Sequence, residues 1–385
     1  MSLLHWVWLG LAVQPGSSVI DRILERFPDP EEFFLSGTAG IKEVERISDH
    51  DAIRIRATTL DMAKEAIENA ENYGAKVISK DMDEFPKRLL DIKTCPPVLY
   101  ALGDTKYLNT MPAIAIVGTR RLSDYGRKMA EIISGGLASS GVTVISGMAE
   151  GIDSEAHKAC LRNGGKTVAV QGCGICNTFP AGNVELKELI AANGVVISEF
   201  APDAEPQGSF FPIRNRLVSG MSLGVCVIEA AARSGTSITA NLALEQGRKV
   251  FAVPADVLRS TSQGTFRLLK QGAIPVARAS DILAEFSAEY PEIIEKELSI
   301  GKRSVIPEEE ISPPAEPKKK IKKALPDGIS ENAAKIYKLI EHTPKFADEL
   351  SEKAELSAPE AAAALTELEL YGLIKPVAGR RFIIA

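Results

Sequence analysis

Between Ala113 and Ala277 the chain carries a series of short apolar runs: AIAIV (113–117), VTVI (142–145), TVAV (167–170), VVIS (195–198), GVCVIE (224–229), KVFAV (249–253) and IPVA (274–277). Stretches with helical spacing of apolar positions, YGRKMAEIISGGLASSG, SEAHKACLRNG, NVELKELIAANG and TSITANLALEQG, separate most of them. Several of these close on glycine, a common stop for a helix. Continuous Val/Ile runs, with no polar residue at every second place, belong to strands buried on both faces. Their alternation with helices predicts a doubly wound, mostly parallel α/β sheet over residues 76–290.

Residues 1–75 read differently. SSVIDRILERF and IRIRATTLDMAKEAIENAENYG have helical periodicity, the second ending at Gly74, so a small helical domain is expected there. The opening MSLLHWVWLGLAV is apolar but lacks a basic leader and is shorter than the ~20 residues that span a bilayer, which predicts a buried first helix. Over residues 291–328, Pro307, Pro313, Pro314 and Pro317 accompany a glutamate run and Lys318 to Lys323, the composition of a disordered charged linker. From 329 to 385 the order AAKIYKLIEHT, FADELSEKA, SAPEAAAALTELELYG and a hairpin around Gly379 predicts three helices and a wing. The third helix carries Glu360, Glu367 and Glu369 and no Lys or Arg, leaving Arg380 and Arg381 as the basic residues of the wing. That charge pattern favours a protein-interaction or regulatory role over duplex binding.

Charge narrows the function. The net charge is −6 and the pI about 5.5, so the whole molecule is no generic polycation and any anion site must be local. Five cysteines make no disulfide framework, in keeping with a cytoplasmic protein that has no membrane segment.

Open α/β sheets bind ligands beyond the carboxyl ends of their strands, near the reversal of strand order. Those ends hold Gly118-Thr119-Arg120, Ser146-Gly147, Gly172-Cys173-Gly174 and Arg233-Ser234-Gly235-Thr236. The connection after the fourth run adds FFPIRNRLVSG, Phe210 to Gly220, an aromatic and basic cluster. Glycines admit backbone N–H groups to an oxygen, hydroxyls add donors, and helix starts add positive potential; all suit phosphate. Arg120, Arg214 and Arg216 offer forked donors, and Phe210 or Phe211 a face for an unpaired base. The set predicts a phosphodiester with accessible bases.

Other constellations point to ordinary structure. Asp153 and His157 lie one helical turn apart with no third metal ligand, the pattern of a helix cap and a surface histidine. Cys173-Gly-Ile-Cys176 has no second pair for zinc. With neither a Walker A sequence nor a GxGxxG fingerprint, no cofactor is expected.

The motifs IVGTRRLSDYG, SGMAEGIDSEAH, AVQGCGICNTFPAGN, ISEFAP, FFPIRNRLVSGMS, VIEAAARSGTSITANLALEQGRKVFAVP and GTFRLLKQGA, in unbroken order over about residues 80–278, resemble the DprA/Smf family of DNA-processing proteins. FPKRLLDIKTCPPVLYALGD is similar to the segment that leads into that family's Rossmann-like domain. The N-terminal helices resemble its SAM-like domain and the C-terminal segment its winged helix. The resemblance implies a non-enzymatic, dimeric protein that binds single-stranded DNA and loads RecA onto DNA otherwise covered by single-strand-binding protein. It implies a pocket of Gly118, Thr119, Arg120, Ser146, Gly147, Arg214, Asn215, Arg216, Ser234, Gly235 and Thr236, with Phe211 as aromatic wall. It also places self-association late in the domain, where the edge position expected for the last strand points to Leu268, Leu269 and Ile274. The chain departs from the family pattern at Phe179-Pro180-Ala181-Gly182, where a basic residue commonly follows Tyr-Pro, and at Ala255 and Phe266. Two rival readings are a phosphoribohydrolase-type enzyme, whose motif glutamate falls on Thr239, and a nucleotide-sensing transcription factor, which the acidic third helix disfavours.

Overall fold

The apolar runs become strands because β-branched and small residues suit a pleated surface covered on both sides. In the computed structural model, which describes residues 2–232, 234–292, 325–326, 328–340, 345–377 and 381–384, they form the greater part of a nine-stranded sheet. Its strands are β1 (Lys76–Ser79), β2 (Val98–Gly103), β3 (Ala113–Val117), β4 (Thr143–Ser146), β5 (Thr167–Val170), β6 (Val195–Ser198), β7 (Gly224–Val227), β8 (Lys249–Ala252) and β9 (Ile274–Pro275). The order is β1-β2-β6-β5-β4-β3-β7-β8-β9, parallel from β6 to β9, with β1 and β2 added antiparallel at one edge. β1 and β2 lie outside the seven apolar runs. Strand order reverses at β3, which pairs with both β4 and β7.

Alternate residues of β3 enter different cores: Ala115 and Val117 point to one face of the sheet, Ile114 and Ile116 to the other. The helices between strands are α6 (Asp124–Ser139), α7 (Ile152–Arg162), α8 (Val184–Asn193), α9 (Phe210–Gly220), α10 (Gly235–Glu245), α11 (Gln263–Lys270) and α12 (Ala279–Ala284). Leu217 and Val218 of α9 and Ala240 and Ala243 of α10 cover the first face. Ile133 and Leu137 of α6 and Ile152 and Ala156 of α7 cover the β3 end of the second.

The N-terminal helices are α1 (Leu3–Ala12), α2 (Val19–Arg26), α3 (Pro30–Glu43, kinked at Gly37), α4 (Asp49–Ala57) and α5 (Leu60–Asn72). α1 is apolar all round and is buried accordingly, as its sequence predicts. Trp6, Trp8, Ile20, Ile23 and Phe33 share one core with Val77 of β1, Val98 and Tyr100 of β2 and Val196 of β6. The helical layer therefore completes the second face of the sheet, and residues Met1–Ser304 make one unit.

A second unit, Val305–Ala385, contains α13 (Glu331–Leu339), β10 (Lys345–Phe346), α14 (Ala347–Lys353), α15 (Ala358–Leu370), β11 (Ile374–Val377) and β12 (Arg381–Ile384), the expected three helices and hairpin. Ile336, Leu350, Leu365 and Leu368 form its core. Two of the three acids on α15 have local work. Glu360 closes a capping box with Ser357, and Glu367 accepts the Ser330 amide at 2.9 Å at the start of α13. Hydrogen bonds from those serines hold both carboxyls below their ordinary range. Arg380, the side chain of Arg381 and most of the expected linker lie outside the described residues. Among the described residues no helix is long and apolar enough to cross a membrane.

Candidate nucleic-acid interface

A cleft of about 440 Å³ opens beyond the carboxyl ends of β3 and β7, where strand order reverses. Gly118, Thr119, Arg120, Gly147, Phe211, Arg214, Asn215, Ser234, Gly235 and Thr236 line it, together with Asp153 and Thr239. Ser146 and Arg216 do not belong to it. Ser146 is buried beneath, its hydroxyl donating to the Ile116 carbonyl at 2.6 Å. Arg216 is two positions from Arg214 on α9, hence about 200° away around the helix. It points to the opposite side, buried in an ion pair with Glu199 and beside the turn at Gly16. Burial raises the Glu199 carboxyl, and the Arg216 charge opposes that rise.

The two arginines of the cleft differ. Arg120 is exposed, with its guanidinium 5.3 Å from the centre of the Phe211 ring. Arg214 forms the floor: it is buried, donates to the carbonyls of Gly147 (2.5 Å) and Val170, and reaches Asn215 Oδ1 at 3.2 Å. Desolvation lowers its pKa to about 10, against the raising effect of Asp153.

Facing them, α10 begins at Gly235 with Ser234 as its N-cap residue. Among the described residues the buried Ser234 Oγ has no hydrogen-bond partner, and the first amides of a helix lack intrahelical acceptors. Free helix-start amides beside a hydroxyl are the kind of geometry that suits an anion. Thr239, where a phosphoribohydrolase motif carries glutamate, lines the cleft with a hydroxyl.

The aromatic wall is a pair. Phe211 packs over Gly172, where a Cβ would come within 2.7 Å of its ring, and it lies 5.2 Å from Phe179. Phe179 is 38% exposed and forms the outer member. Phe210 instead stacks on the buried Phe200 at 4.1 Å. In the sequence Phe179 stands out only as part of Phe179-Pro180-Ala181-Gly182, which lacks a basic residue, and nothing local marks its contact with Phe211 on a distant helix.

Asp153 and His157 are also placed otherwise than their spacing suggests. His157 is fully buried, 2.6 Å from the Thr167 hydroxyl. That hydroxyl gives its hydrogen to the Val144 carbonyl, so His157 Nδ1 is the donor. Burial brings its pKa down to about 3. Asp153 is no cap, since Gly151 holds the N-cap position of α7; it is a buried carboxylate in the cleft. Its pKa is raised by burial to about 6, against the opposing effects of Arg214 and the amides of Ala149, Gly147 and Gly118. Cys173 is buried and Cys176 partly so, and burial pushes both thiols up, away from the reactive thiolate.

Of the residues expected in self-association, Leu268 faces this chain's own core, and Leu269 and Ile274 are half-buried at its margin. β9 is an edge strand of the sheet, as expected for the last of the runs.

Residues 76–287 match the family described as DNA recombination-mediator protein A, and residues 313–380 match the DprA winged helix domain. Protein Smf of Synechocystis sp. is 31% identical over 82% of this chain and 82% of its own length. The X-ray structure of DNA processing protein A (DprA) from Streptococcus pneumoniae is similar with a TM-score of 0.66 at 30% identity, covering 74% of this chain and 98% of that one. DNA processing protein A from Helicobacter pylori, solved for its single-stranded DNA binding mode, gives a TM-score of 0.51 at 30% identity, covering 57% of this chain and 99% of that one. With the first match spanning more than half of its residues and the second following it over residues 313–380, the chain belongs to the DNA recombination-mediator protein A family, DprA/Smf.

Proposed function

We propose that this protein binds single-stranded DNA in the cleft beyond the carboxyl ends of β3 and β7 and, as a homodimer, presents it to a RecA recombinase in recombination or transformation. One observation carries the reading: a single cleft pairs the start of α10 and Arg120, which suit an anion, with the ring of Phe211, against which Phe179 packs. An unpaired strand offers a phosphate and a bare base face side by side. A duplex hides the base faces and meets only the charge. The Helicobacter relative, solved for its single-strand binding mode, supports the assignment. Recombinase loading and relief of single-strand-binding protein rest on family membership, and the reading assigns no catalytic step and no cofactor.

The test is binding of oligo(dT) and of a duplex of equal length across a salt series. The expected result is a clear preference for the single strand that persists as salt rises, because stacking is not screened. Equal affinities that vanish together with salt would overturn the proposal.

A further inference from the structure

Two of the amides that the glycine-rich strand ends offer to phosphate, those of Gly118 and Gly147, are already occupied by a carboxylate. Met148 is buried and adopts a left-handed backbone (φ 55°) between Gly147 and Ala149, turning the loop after β4 into a small concavity of N–H groups. The carboxylate of Asp153 fills that concavity, stabilised by the amides of Gly147, Ala149 and, from the loop after β3, Gly118. Gly147 is required by the same arrangement. A Cβ there would lie 2.6 Å from Arg214 Nη2 and 2.7 Å from Asp153 Oδ2, so guanidinium and carboxylate flank one Cα. Asp153 thus joins two loops and the floor arginine from within the cleft itself.

We propose that Asp153 is the positioning residue of this cleft, and that a phosphate entering it binds together with one proton taken up by the Asp153 carboxylate. The inference rests on the cleft being the strand-binding site. A second negative charge in a space this small raises the proton affinity of a buried carboxylate. By linkage, whatever raises that affinity on binding makes binding tighter as pH falls. The charged group that acts on Asp153 directly is Arg214 of α9; Cys173 and Arg120 act on that same guanidinium, and its charge also reaches the neutral His157 one turn along α7. With its carboxyl near 6, His157 near 3 and Arg214 near 10, Asp153 is placed to change charge between pH 6 and 8 while those two neighbours do not.

The experiment is titration calorimetry of the full chain with oligo(dT), whose bases and phosphodiesters do not titrate between pH 6 and 8. At pH 6, runs in two buffers of different ionisation enthalpy are expected to give uptake of about half a proton per site, and affinity about tenfold tighter than at pH 8. Asp153→Asn is expected to abolish both the uptake and the pH dependence. Wild-type binding with no proton uptake and no change of affinity with pH overturns the inference while leaving the cleft assignment standing. So does an Asp153→Asn variant that keeps the wild-type pH profile. Absence of oligo(dT) binding at every pH overturns both. The wild-type measurement decides the question even where the variant fails to fold.

Discussion

Arg120 and Arg214 line the same cleft in different states of commitment. Arg214 has its hydrogen bonds made and its charge buried, whereas Arg120 stands exposed over an aromatic ring. Arg120→Ala is therefore expected to weaken oligo(dT) binding and to reduce the log–log salt slope by ~0.7 for one lost phosphate contact. An unchanged slope in a folded variant removes Arg120 from the site. His157 and Asp153 permit a test of sign. A histidine whose pKa falls from 6.5 to about 3 contributes stability above pH 6.5 that is lost as pH falls. A carboxyl raised from 3.8 to about 6 contributes stability at low pH that is lost as pH rises through 6. Between pH 4 and 6 the two oppose each other. Removing one partner by His157→Gln should make the melting temperature, relative to wild type, fall steadily from pH 4 to 6 and level off above 6.5. A constant difference would show that His157 is not held neutral.

At the scale of elements, much was legible in the sequence. The seven central strands announced themselves as Val/Ile runs, and the glycine-rich strand ends marked where the cleft would open. What stayed hidden depended on direction. Arg214 and Arg216 look equivalent in RNR, yet a helix turns them to opposite sides, and only the structure shows that Phe210, Phe211 and the arginines lie on a helix from its first residue. Asp153 reads as a cap because it lies one helical turn before His157 with no third ligand for a metal, while its burial depends on how the loop at Met148 folds. β2 does carry an apolar run, VLYAL, but it stands outside the alternation of runs and helices that marked the other strands, and β1 offers only Val77 and Ile78. The acidic α15 was legible as acidic but not as a helix whose acids cap others. Glu367→Gln is expected to lower the unfolding midpoint of the second unit by weakening the cap on α13, measured by chemical unfolding of the full chain, with oligo(dT) affinity unchanged. A loss of affinity would draw α15 into DNA binding.

The whole molecule raises the question of self-association. With Leu268 in the core, Leu269 and the 42% exposed Phe266 are the apolar groups of α11 left to meet a second copy beside edge strand β9. Leu269→Glu is expected to stay folded and scatter light as a monomer, and Leu268→Glu to unfold. A dimeric Leu269→Glu variant, or a wild type monomeric at micromolar concentration, would place any interface elsewhere. Assembly at that edge leaves the other side of the sheet untouched, where α1 to α5 share a core with β1, β2 and β6. For anyone shortening the gene, this shared core sets where the scissors can fall. A product begun at residue 76 would carry Val77, Val98, Tyr100 and Val196 as bare, oily surface and would clump before its cleft could be assayed, so a minimal version of the binding half must keep its first five helices as a lid.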